Sequence, residues 1–318
     1  MKEFDFIAEL QRNPFPQHAE VILGIGDDAA LCTIPAGMHL VTAVDTLVSG
    51  IHFPSDTTAF DIGYKALAVN LSDLAAMGAL PQWMTLALTC PHSESTWLAE
   101  FTQGLLQLAT QHQVSLIGGD TTAGHLTVTI QVSGWTPAGQ ALLRCGAQVG
   151  DNIYVTGTLG DAGLGLLAGV QHKLFLPLTA QQFVKNRLNR PTPRVSEGLA
   201  LRGIAHSAID ISDGLAADLG HILTASGVGA CIEVENLPLS PVLRQYVSQQ
   251  HAATLALSAG DDYELCFTVP PEKQDLLSAA LPAGSYTKIG RIEATPGLRC
   301  LLAGQPFILN KTGYEHFS

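Results

Sequence analysis

Aspartates recur where apolar segments of this chain end, which is where a carboxylate can meet a ligand. Four clusters share the arrangement: Gly24–Ala30 with Asp27 and Asp28, Val41–Thr46 with Asp45, Leu116–Thr122 with Asp120, and Ile209–Gly214 with Asp210 and Asp213. Taken singly, each acid has a structural alternative, because Asp beside glycine forms Asx-turns and helix caps. Ligands bind at the carboxyl ends of strands in open α/β sheets, so four clusters together favour a common site.

Asp73 lies in the segment Ala66–Met77, whose other residues are almost all small or apolar. Asn70 shares its helix face, and no Lys or Arg stands three or four residues away. A buried, unpaired carboxylate is costly. We therefore expect Asp73 either to meet a cation from outside the helix or to lie on an exposed helix face.

The donor type selects the metal that such acids would bind. Oxygen ligands without clustered His or Cys favour Mg²⁺ over zinc, and Mg²⁺ binds through one or two carboxylates with substrate phosphates and water. The sequence therefore predicts metal-assisted phosphate chemistry. No GxxxxGK[ST] motif occurs, which excludes a P-loop kinase. The glycine-rich segment Gly157–Gly165 either presents backbone N–H groups to a phosphate or packs a helix closely on a strand.

Hydrophobic patterning predicts the elements that must position these acids. The first half contains strands and helices at Val41–Asp45, Thr58–Met77 (helix), Trp83–Thr89, Ser95–Gln111 (helix), Val114–Ile117 and Leu126–Ser133. The second half repeats the alternation, with strands Asn152–Thr156, Ala208–Ile211, Ala230–Val234 and Tyr263–Val269, and helices after Gly157, after Pro193 and over Gly214–Ala225. The turn-rich stretch Thr136–Asp151 separates the halves. We predict an α/β (α+β) chain with domains at residues 1–146 and 147–318.

Composition bounds the class of protein. The 318 residues suit two domains, and 47% hydrophobic with 14% charged residues excludes extensive disorder. A net charge of −12 argues against a nucleic-acid groove, and no apolar run reaches the roughly 18 residues of a membrane helix. Six cysteines without a CxxC pair predict reduced thiols. We expect a cytoplasmic protein that binds neither nucleic acid nor membrane.

A set of motifs occurs together and in order: GIGDDAA, VDT followed by GIHF, KALAVNLSDLAAMGA, LIGGDTT, IDISDGL, DDYELCF and GYEHF. Their combination resembles the thiamine-monophosphate kinases of the AIR-synthase (PurM)-like superfamily over essentially the whole chain. NLSDLAAMGA and ISDGL make the resemblance specific. It implies a two-domain PurM-like fold, with an N-terminal sheet-and-helix domain that forms a homodimer and a C-terminal α/β domain.

The resemblance also implies roles for individual residues. The implied Mg²⁺ ligands, direct or through water, are Asp28, Asp45, Asp73, Asp120, Asp210 and Asp213. The implied ATP-binding residues are Gly119, Asp120, Arg144 and Ser212. The implied contacts with thiamine monophosphate are His52, Asp261 and Tyr314. No side chain is expected to act as a catalytic acid or base.

Three residues in two of the motifs depart from the family pattern. Ala43 and Val44 precede Asp45 where the family often has Ser-Thr, so any metal contact there must use their backbone carbonyls. Asp261 replaces the usual Glu and shortens that arm by one methylene.

Several of these residues also have a simpler interpretation. His52 fits an ordinary turn, and Tyr314 fits a tail aromatic that covers the core. The basic group Lys185, Arg187, Arg190 and Arg194 is interpreted as a solvated helix end in preference to a phosphate clamp. Arg144 has the stronger case as a ligand contact, because it stands alone in the otherwise uncharged segment Ala138–Val149.

The implied reaction moves the γ-phosphoryl group of ATP directly and in line onto thiamine monophosphate, with several Mg²⁺ ions, giving thiamine diphosphate and ADP. Three alternatives remain: an ATP-dependent superfamily enzyme with another small-molecule acceptor, a Mg²⁺-dependent phosphatase, and a non-catalytic metal or nucleotide sensor. Apolar strands such as Trp83–Thr89 call for cover on both faces, which agrees with a homodimer.

Overall fold

The computed structural model describes residues 10, 12–92, 94–170 and 174–315. The chain divides into two compact units. The first extends to Leu74 and continues over Ala79–Gly139, and the second takes Ala75–Gly78 and the chain from Gln140 onward. The domain limits 1–146 and 147–318 stay a prediction. His316 and Phe317, which end the GYEHF motif, lie outside the described residues.

The first unit is built on a four-stranded sheet of order β3-β6-β4-β5, in which β4 and β5 are parallel and the other neighbours antiparallel. A separate small sheet pairs β1 with β2. The elements are β1 (Val21–Leu23), β2 (Leu31–Cys32), β3 (Met38–Val48), α1 (Ala59–Ala76), β4 (Leu80–Cys90), α2 (Ser95–His112), β5 (Ser115–Ala123) and β6 (Thr127–Pro137).

The two faces of this four-stranded sheet differ because successive side chains of a strand point to opposite sides. Leu86 and Ile130 are cross-strand partners and are buried. On the other face, Val44 of β3 is 60% exposed. Trp83 and Trp135 pack edge to face at 5.5 Å and are covered by residues of β1 and β2. Part of the outer face is therefore open within this chain.

The second unit holds a seven-stranded sheet of order β13-β12-β9-β11-β7-β10-β8, in which β12 and β9 are parallel and the other neighbours antiparallel. Its strands are β7 (Asn152–Thr156), β8 (Ser207–Asp210), β9 (Gly229–Glu233), β10 (Leu265–Val269), β11 (Tyr286–Glu293), β12 (Gly297–Leu302) and β13 (Gln305–Pro306). Its helices are α3 (Asp161–Gly165), α4 (Leu178–Asn189), α5 (Val195–Ala200), α6 (Leu215–Ser226), α7 (Pro241–Tyr246), α8 (Gln249–Ser258) and α9 (Gln274–Ala280). A π-helical turn, Leu166–Val170, follows α3 directly.

The second unit has two clusters of buried side chains. One includes Ile153, Ile209, Leu219 and Ile232 and joins six strands, β7 to β12, to one side of α6. The other packs α3 against α4 and α8. The loops at the end of β8 are thereby fixed to a rigid base.

The predicted elements are largely confirmed. The strand Asn152–Thr156 is β7 in full, and the helix expected over Thr58–Met77 is α1. The four-stranded and seven-stranded sheets are mixed and mainly antiparallel, which gives the α+β form of the predicted fold class. None of the helices in the described part of the chain has the length and apolar character that a membrane crossing needs.

Candidate active site

Two of the predicted acid clusters share one pocket in the first unit. The pocket has a volume of about 760 Å³ and lies between Gly24–Ala30 and Leu116–Thr121. Asp28 and Asp120 are both exposed on its wall. Gly119, beside Asp120, must be glycine because a Cβ there would lie 1.9 Å from the carbonyl oxygen of Leu86. The pocket therefore offers two accessible carboxylates and a backbone that a ligand can approach closely.

Two more of the predicted acids lie on β3 and α1, which one side chain joins. The backbone N–H of Asp45 donates to Oδ1 of Asn70 at 3.1 Å. Asn70 is itself buried, and its Nδ2 donates to the carbonyl of Ala66 at 2.9 Å. Asp73 is half-buried one turn further along the same helix face. The Asn70 side chain thus fixes the strand that carries Asp45 against the helix that carries Asp73.

The strand register distinguishes Ala43 from Val44. Residues of an antiparallel pair alternate between those that exchange both backbone hydrogen bonds and those that exchange none. At the two ends of the β3–β6 ladder, the N–H of Ser49 donates to the carbonyl of Leu126 at 3.0 Å and that of Ala138 to the carbonyl of Gly37 at 2.9 Å. Because the register between them is unshifted, Ala43 is of the first kind and Val44 of the second. The carbonyl of Val44 therefore lies outside the ladder with β6, whereas that of Ala43 lies within it.

His52 sits in the turn that follows β3. Its Nδ1 accepts the backbone N–H of Val48 at 3.0 Å, so the proton of the neutral ring is on Nε2. The backbone N–H of His52 donates to the carbonyl of Val48 at 2.9 Å. The buried Lys65 of α1 donates from Nζ to the carbonyl of His52 at 3.2 Å. These bonds fix the turn and leave Nε2 of the ring as a hydrogen-bond donor.

In the second unit, the predicted acids of the IDISDGL motif surround a backbone turn. The backbone N–H groups of Ser212, Asp213 and Gly214 all donate to Oδ2 of Asp218, each at 3.1 Å. Burial, and then the nearby carboxylates of Asp210 and Asp213, raises the pKa of Asp218 to about 7. The turn is therefore locked by an acid that the motif analysis did not single out.

Two further predicted residues converge on the same turn. The backbone N–H of Asp261 donates to the carbonyl of Ser212 at 2.8 Å, and that of Tyr314 donates to the carbonyl of Asp213 at 3.0 Å. Gly260 must be glycine, because its φ is +74° and a Cβ there would lie 2.7 Å from the carbonyl oxygen of Ser212. The structure thus brings Ser212, Asp213, Asp261 and Tyr314 together.

The backbone of Arg144 lies at the opposite end of α6 from this turn. Its carbonyl accepts a hydrogen bond from Oγ of Ser226 at 3.4 Å. Ser226 is the last residue of α6, whereas Ser212 precedes the first, and twelve helical residues span about 18 Å. The Arg144 side chain is exposed, so its predicted contact with ATP stays a prediction.

The interpretation of the basic group as a solvated helix end is wrong for two of its members. Arg187 donates from Nη2 to Glu264 at 2.9 Å, and Arg194 donates to the same carboxylate from Nε at 2.5 Å and Nη2 at 2.8 Å. Glu264 is fully buried and also accepts the hydroxyl of Thr156 at 2.7 Å. Sequence spacing gave no signal for this cluster, because Arg187 and Glu264 are 77 residues apart.

The Gly157–Gly165 segment is held by buried acids. The backbone N–H of Gly160 donates to both carboxylate oxygens of Asp262, at 3.0 and 2.9 Å. Asp161 accepts the hydroxyls of Thr158 at 2.7 Å and Ser240 at 2.5 Å. The packing alternative therefore holds at Gly160, whose N–H is already used by a carboxylate.

The described residues contain no group of three or more His, Cys, Asp or Glu side chains arranged to hold a metal ion. This donor set still fits Mg²⁺, which takes one or two carboxylates and completes its shell with phosphate oxygens and water. The Asp28–Asp120 pocket is an arrangement of that kind, and Asp45 and Asp73 lie on a strand and a helix that one hydrogen bond joins. They suit an ion that enters together with a phosphorylated ligand.

Comparison with known proteins gives a consistent result. Profiles of the AIR synthase related protein family match both halves of the chain, the N-terminal domain over residues 26–136 and the C-terminal domain over residues 148–302. The thiamine-monophosphate kinase of Escherichia coli (strain K12) is 47% identical over 321 residues, which cover 99% of this chain and 98% of that relative.

Solved structures agree with the sequence matches. The crystal structure of thiamine-monophosphate kinase from Stenotrophomonas maltophilia K279a has a TM-score of 0.84 at 47% identity, with 95% of each chain covered. AaThiL complexed with AMPPCP and TMP has a TM-score of 0.79 at 30% identity, covering 99% of this chain and 96% of that one.

Proposed function

Since the chain belongs to the thiamine-monophosphate kinase family and has the two AIR synthase related domains of the PurM-like fold, we propose that it phosphorylates thiamine monophosphate with ATP. The products are thiamine diphosphate and ADP. The observation that carries the proposal is the convergence of Ser212, Asp213, Asp261 and Tyr314 on one turn, in a chain that matches these kinases along its whole length.

The chemistry requires positioning more than acid–base catalysis. An oxygen of the acceptor phosphate attacks the γ-phosphorus of ATP, and the bond from that phosphorus to the β,γ-bridging oxygen breaks. The bonding electron pair leaves with ADP. The second pKa of a phosphate monoester is near 6, so the acceptor is mostly deprotonated at neutral pH and no general base is needed. For this reason no side chain is expected to act as a catalytic acid or base.

The main difficulty is electrostatic, since two polyanions must meet beside several aspartates. Mg²⁺ supplies charge neutralisation at the phosphate oxygens when it is bound. The residues that would hold it are Asp28, Asp45, Asp73, Asp120, Asp210 and Asp213, with the carbonyl of Val44 better suited than that of Ala43. Six carboxylates carry a charge that three such ions would balance.

Each substrate has its own set of proposed contacts. Gly119, Asp120, Arg144 and Ser212 bind ATP, and the exposed backbone at Gly119 suits close approach of a ligand. His52, Asp261 and Tyr314 bind thiamine monophosphate. Nε2 of His52 carries a proton that can be donated to a phosphate oxygen.

We also propose that the protein is a cytoplasmic homodimer. Support for the dimer comes from the partly open outer face of the four-stranded sheet, where Val44 is 60% exposed, and from β3, which is an edge strand of that sheet. Light scattering at micromolar protein is expected to give twice the chain mass. The mass of a single chain would contradict this assignment.

The activity is tested by ADP release from ATP and Mg²⁺ with thiamine monophosphate, thiamine, AMP or no acceptor, side by side. We expect ADP release that depends on thiamine monophosphate and equals the thiamine diphosphate formed. Preference for another acceptor would replace the proposed substrate. Phosphate release from a phosphomonoester without ATP would favour a phosphatase, and saturable ATP binding without turnover would favour a sensor.

A further inference from the structure

The turn that carries Asp261 contains a buried acid with no role in the proposed contacts. Asp262 is 2% exposed, and both of its carboxylate oxygens accept the backbone N–H of Gly160, the residue before α3. Asp261, next to it, is half-buried and belongs to the proposed substrate site. The two adjacent aspartates thus face different surroundings.

The backbone around Asp262 has an unusual conformation. Gly260, Asp261 and Tyr263 have φ angles of +74°, +61° and +50°. Asp tolerates the left-handed region, but a bulky residue such as Tyr seldom adopts it without support from its surroundings. Asp262 lies between the two strained non-glycine residues, so its bond to Gly160 acts at the point where the turn needs support.

The other side of this turn supports the nucleotide and metal residues. The N–H of Asp261 donates to the carbonyl of Ser212, and the N–H of Tyr263 donates to the carbonyl of Ile211, each at 2.8 Å. Any shift of the Gly260–Tyr263 turn therefore displaces two backbone acceptors of the IDISDGL motif. Gly160 is thus linked to Ser212 by one hydrogen bond at Asp262, the peptide bond to Asp261, and a second hydrogen bond from Asp261.

We propose that Asp262 is a positioning residue, which holds the Gly260–Tyr263 turn in its left-handed conformation and thereby places Asp261 and Ser212 for catalysis. The inference rests on the proposed kinase function of that site. Asp262 acts through its hydrogen bond to Gly160 and touches neither substrate.

The surroundings of Asp262 indicate that its hydrogen bond matters more than its charge. Burial raises its pKa well above the ordinary value, and the nearby carboxylates of Asp161 and Glu264 act in the same direction. The Gly160 N–H and the charge of Arg187 oppose this shift. Asn keeps the shape and a carbonyl oxygen for the Gly160 N–H, so it should replace Asp262 in its positioning role.

The test compares Asp262→Ala and Asp262→Asn with matched variants of Asp151. Asp151 is also buried and accepts a backbone N–H, that of Gln148 at 2.9 Å, and it contacts His206 at 3.0 Å. It precedes the first residue of β7, whereas the residues Asp262 supports lie beyond the other end of the sheet. Loss of Asp151 thus reports the general cost of deleting a buried carboxylate.

Two measurements are made on each variant of the full chain, kcat/KM for thiamine monophosphate and peptide-level hydrogen exchange over 208–216 and 258–266. Asp262→Ala is expected to lower kcat/KM by about 100-fold and to speed exchange in both segments, since small displacements of positioned groups have effects of this size. Asp262→Asn is expected to stay within about 5-fold of wild type. Asp151→Ala is expected to leave both readouts unchanged in the folded protein.

In the kinetic measurements, three results would overturn the inference: wild-type kcat/KM in Asp262→Ala, an equal loss in Asp151→Ala at equal melting temperature, or a loss in Asp262→Asn as large as that in the Ala variant. Hydrogen exchange needs no substrate. If the wild-type protein makes no thiamine diphosphate, the kinase proposal fails, while slower or unchanged exchange in Asp262→Ala would separately refute the anchoring role.

Discussion

The acids of the two units are held in different ways. In the first unit, Asp28 and Asp120 stand exposed on the wall of a pocket of about 760 Å³. In the second unit, Asp218, Asp262 and Glu264 are buried and accept hydrogen bonds from backbone N–H groups, a hydroxyl and arginines. The carboxylates of the first set are accessible to ligands, whereas those of the second set accept hydrogen bonds within the fold.

Because the acids are held differently, a substitution should affect different properties in the two units. Removing the charge of an exposed acid loses little that the folded state needs, so its effect should appear in activity. Removing a buried acid leaves its former donors without an acceptor, and an uncompensated buried charge or polar group is destabilising. Substitutions of the exposed acids in the first unit should therefore change turnover, and those of the buried acids in the second should also change stability.

Glu264→Gln should have the largest effect on stability. Glu264 is fully buried between Arg187 and Arg194, so neutralising it leaves two guanidinium groups facing an amide. We expect the free energy of unfolding, measured by denaturant titration, to fall by about 3–5 kcal/mol.

The matched control for this change is Glu293→Gln. Glu293 also binds an arginine through two nitrogens, Arg299 Nε at 2.9 Å and Nη2 at 2.7 Å, but this pair is exposed. It should cost no more than about 1 kcal/mol. Equal losses of unfolding free energy in the two variants would contradict the proposed difference between buried and exposed acids.

Asp73→Asn tests the first unit, where the acids should serve ligands. We expect kcat to fall by a factor of about 100 or more, equivalent to about 2.7 kcal/mol, with the free energy of unfolding nearly unchanged. Asp56→Asn, on an exposed loop of the same unit, should leave kcat unchanged. Unchanged turnover of Asp73→Asn at saturating Mg²⁺ would remove Asp73 from the proposed metal ligands.

The sequence predicted local features better than distant partners. β7 and α1 follow from residue patterns within a few turns of chain, so their bounds were predictable. The bonds of Glu264 to Arg187 and Arg194 join residues 77 and 70 positions apart. A charged residue carries no local signal of such a partner, which is why Arg187 and Arg194 were interpreted as solvated.

The candidate site divides along the same line. Asp28 and Asp120 were singled out by the glycines beside them and Asp45 by the apolar segment before it, and these signals are local. The prediction that Asp45 and Asp120 end their strands is wrong, because both lie inside strands, β3 and β5, that extend beyond the apolar segments. Asp218 stands in α6 without such a signal, and its function as acceptor for three N–H groups depends on the turn before the helix. Hydrogen-bond networks of this kind become visible only when the backbone of the turn is known.

The buried acids should also give the stability of the protein a pH dependence. The folded-state pKa of Asp262 is raised by burial, so its protonated form is favoured by folding. The stabilisation is complete below the ordinary pKa of 3.8 and is lost as pH rises through the folded-state value. The free energy of unfolding of wild type relative to Asp262→Asn should therefore fall with rising pH, by at most about 1.4 kcal/mol per pH unit. A difference that grows between pH 4 and 8 would contradict the assignment.

Tyr314 belongs to the second unit, but it is exposed like the acids of the first unit. A substitution there therefore tests whether exposure, and not the unit, decides the effect. Its backbone N–H is fixed to the carbonyl of Asp213, while the side chain is 45% exposed and Nζ of Lys311 lies 5.8 Å from the ring centroid. Nearly half of its surface is accessible to a ligand, so we expect its main effect to be on ligand binding. Stacking on the aminopyrimidine or the cationic thiazolium of thiamine monophosphate would contribute about 0.5–2 kcal/mol.

Tyr314→Ala is accordingly expected to raise KM for thiamine monophosphate by several-fold to ~30-fold, with little change in melting temperature or in the Kd for ATP measured alone. Tyr314→Phe should keep most of the function, since the ring face and not the hydroxyl makes the proposed contact. A large drop in melting temperature with normal binding of both substrates would instead make Tyr314 a residue that covers the core. Tyr314 would then stabilise the fold, as the buried acids of the second unit do. The two units would then differ as wholes, and not only in the exposure of individual side chains.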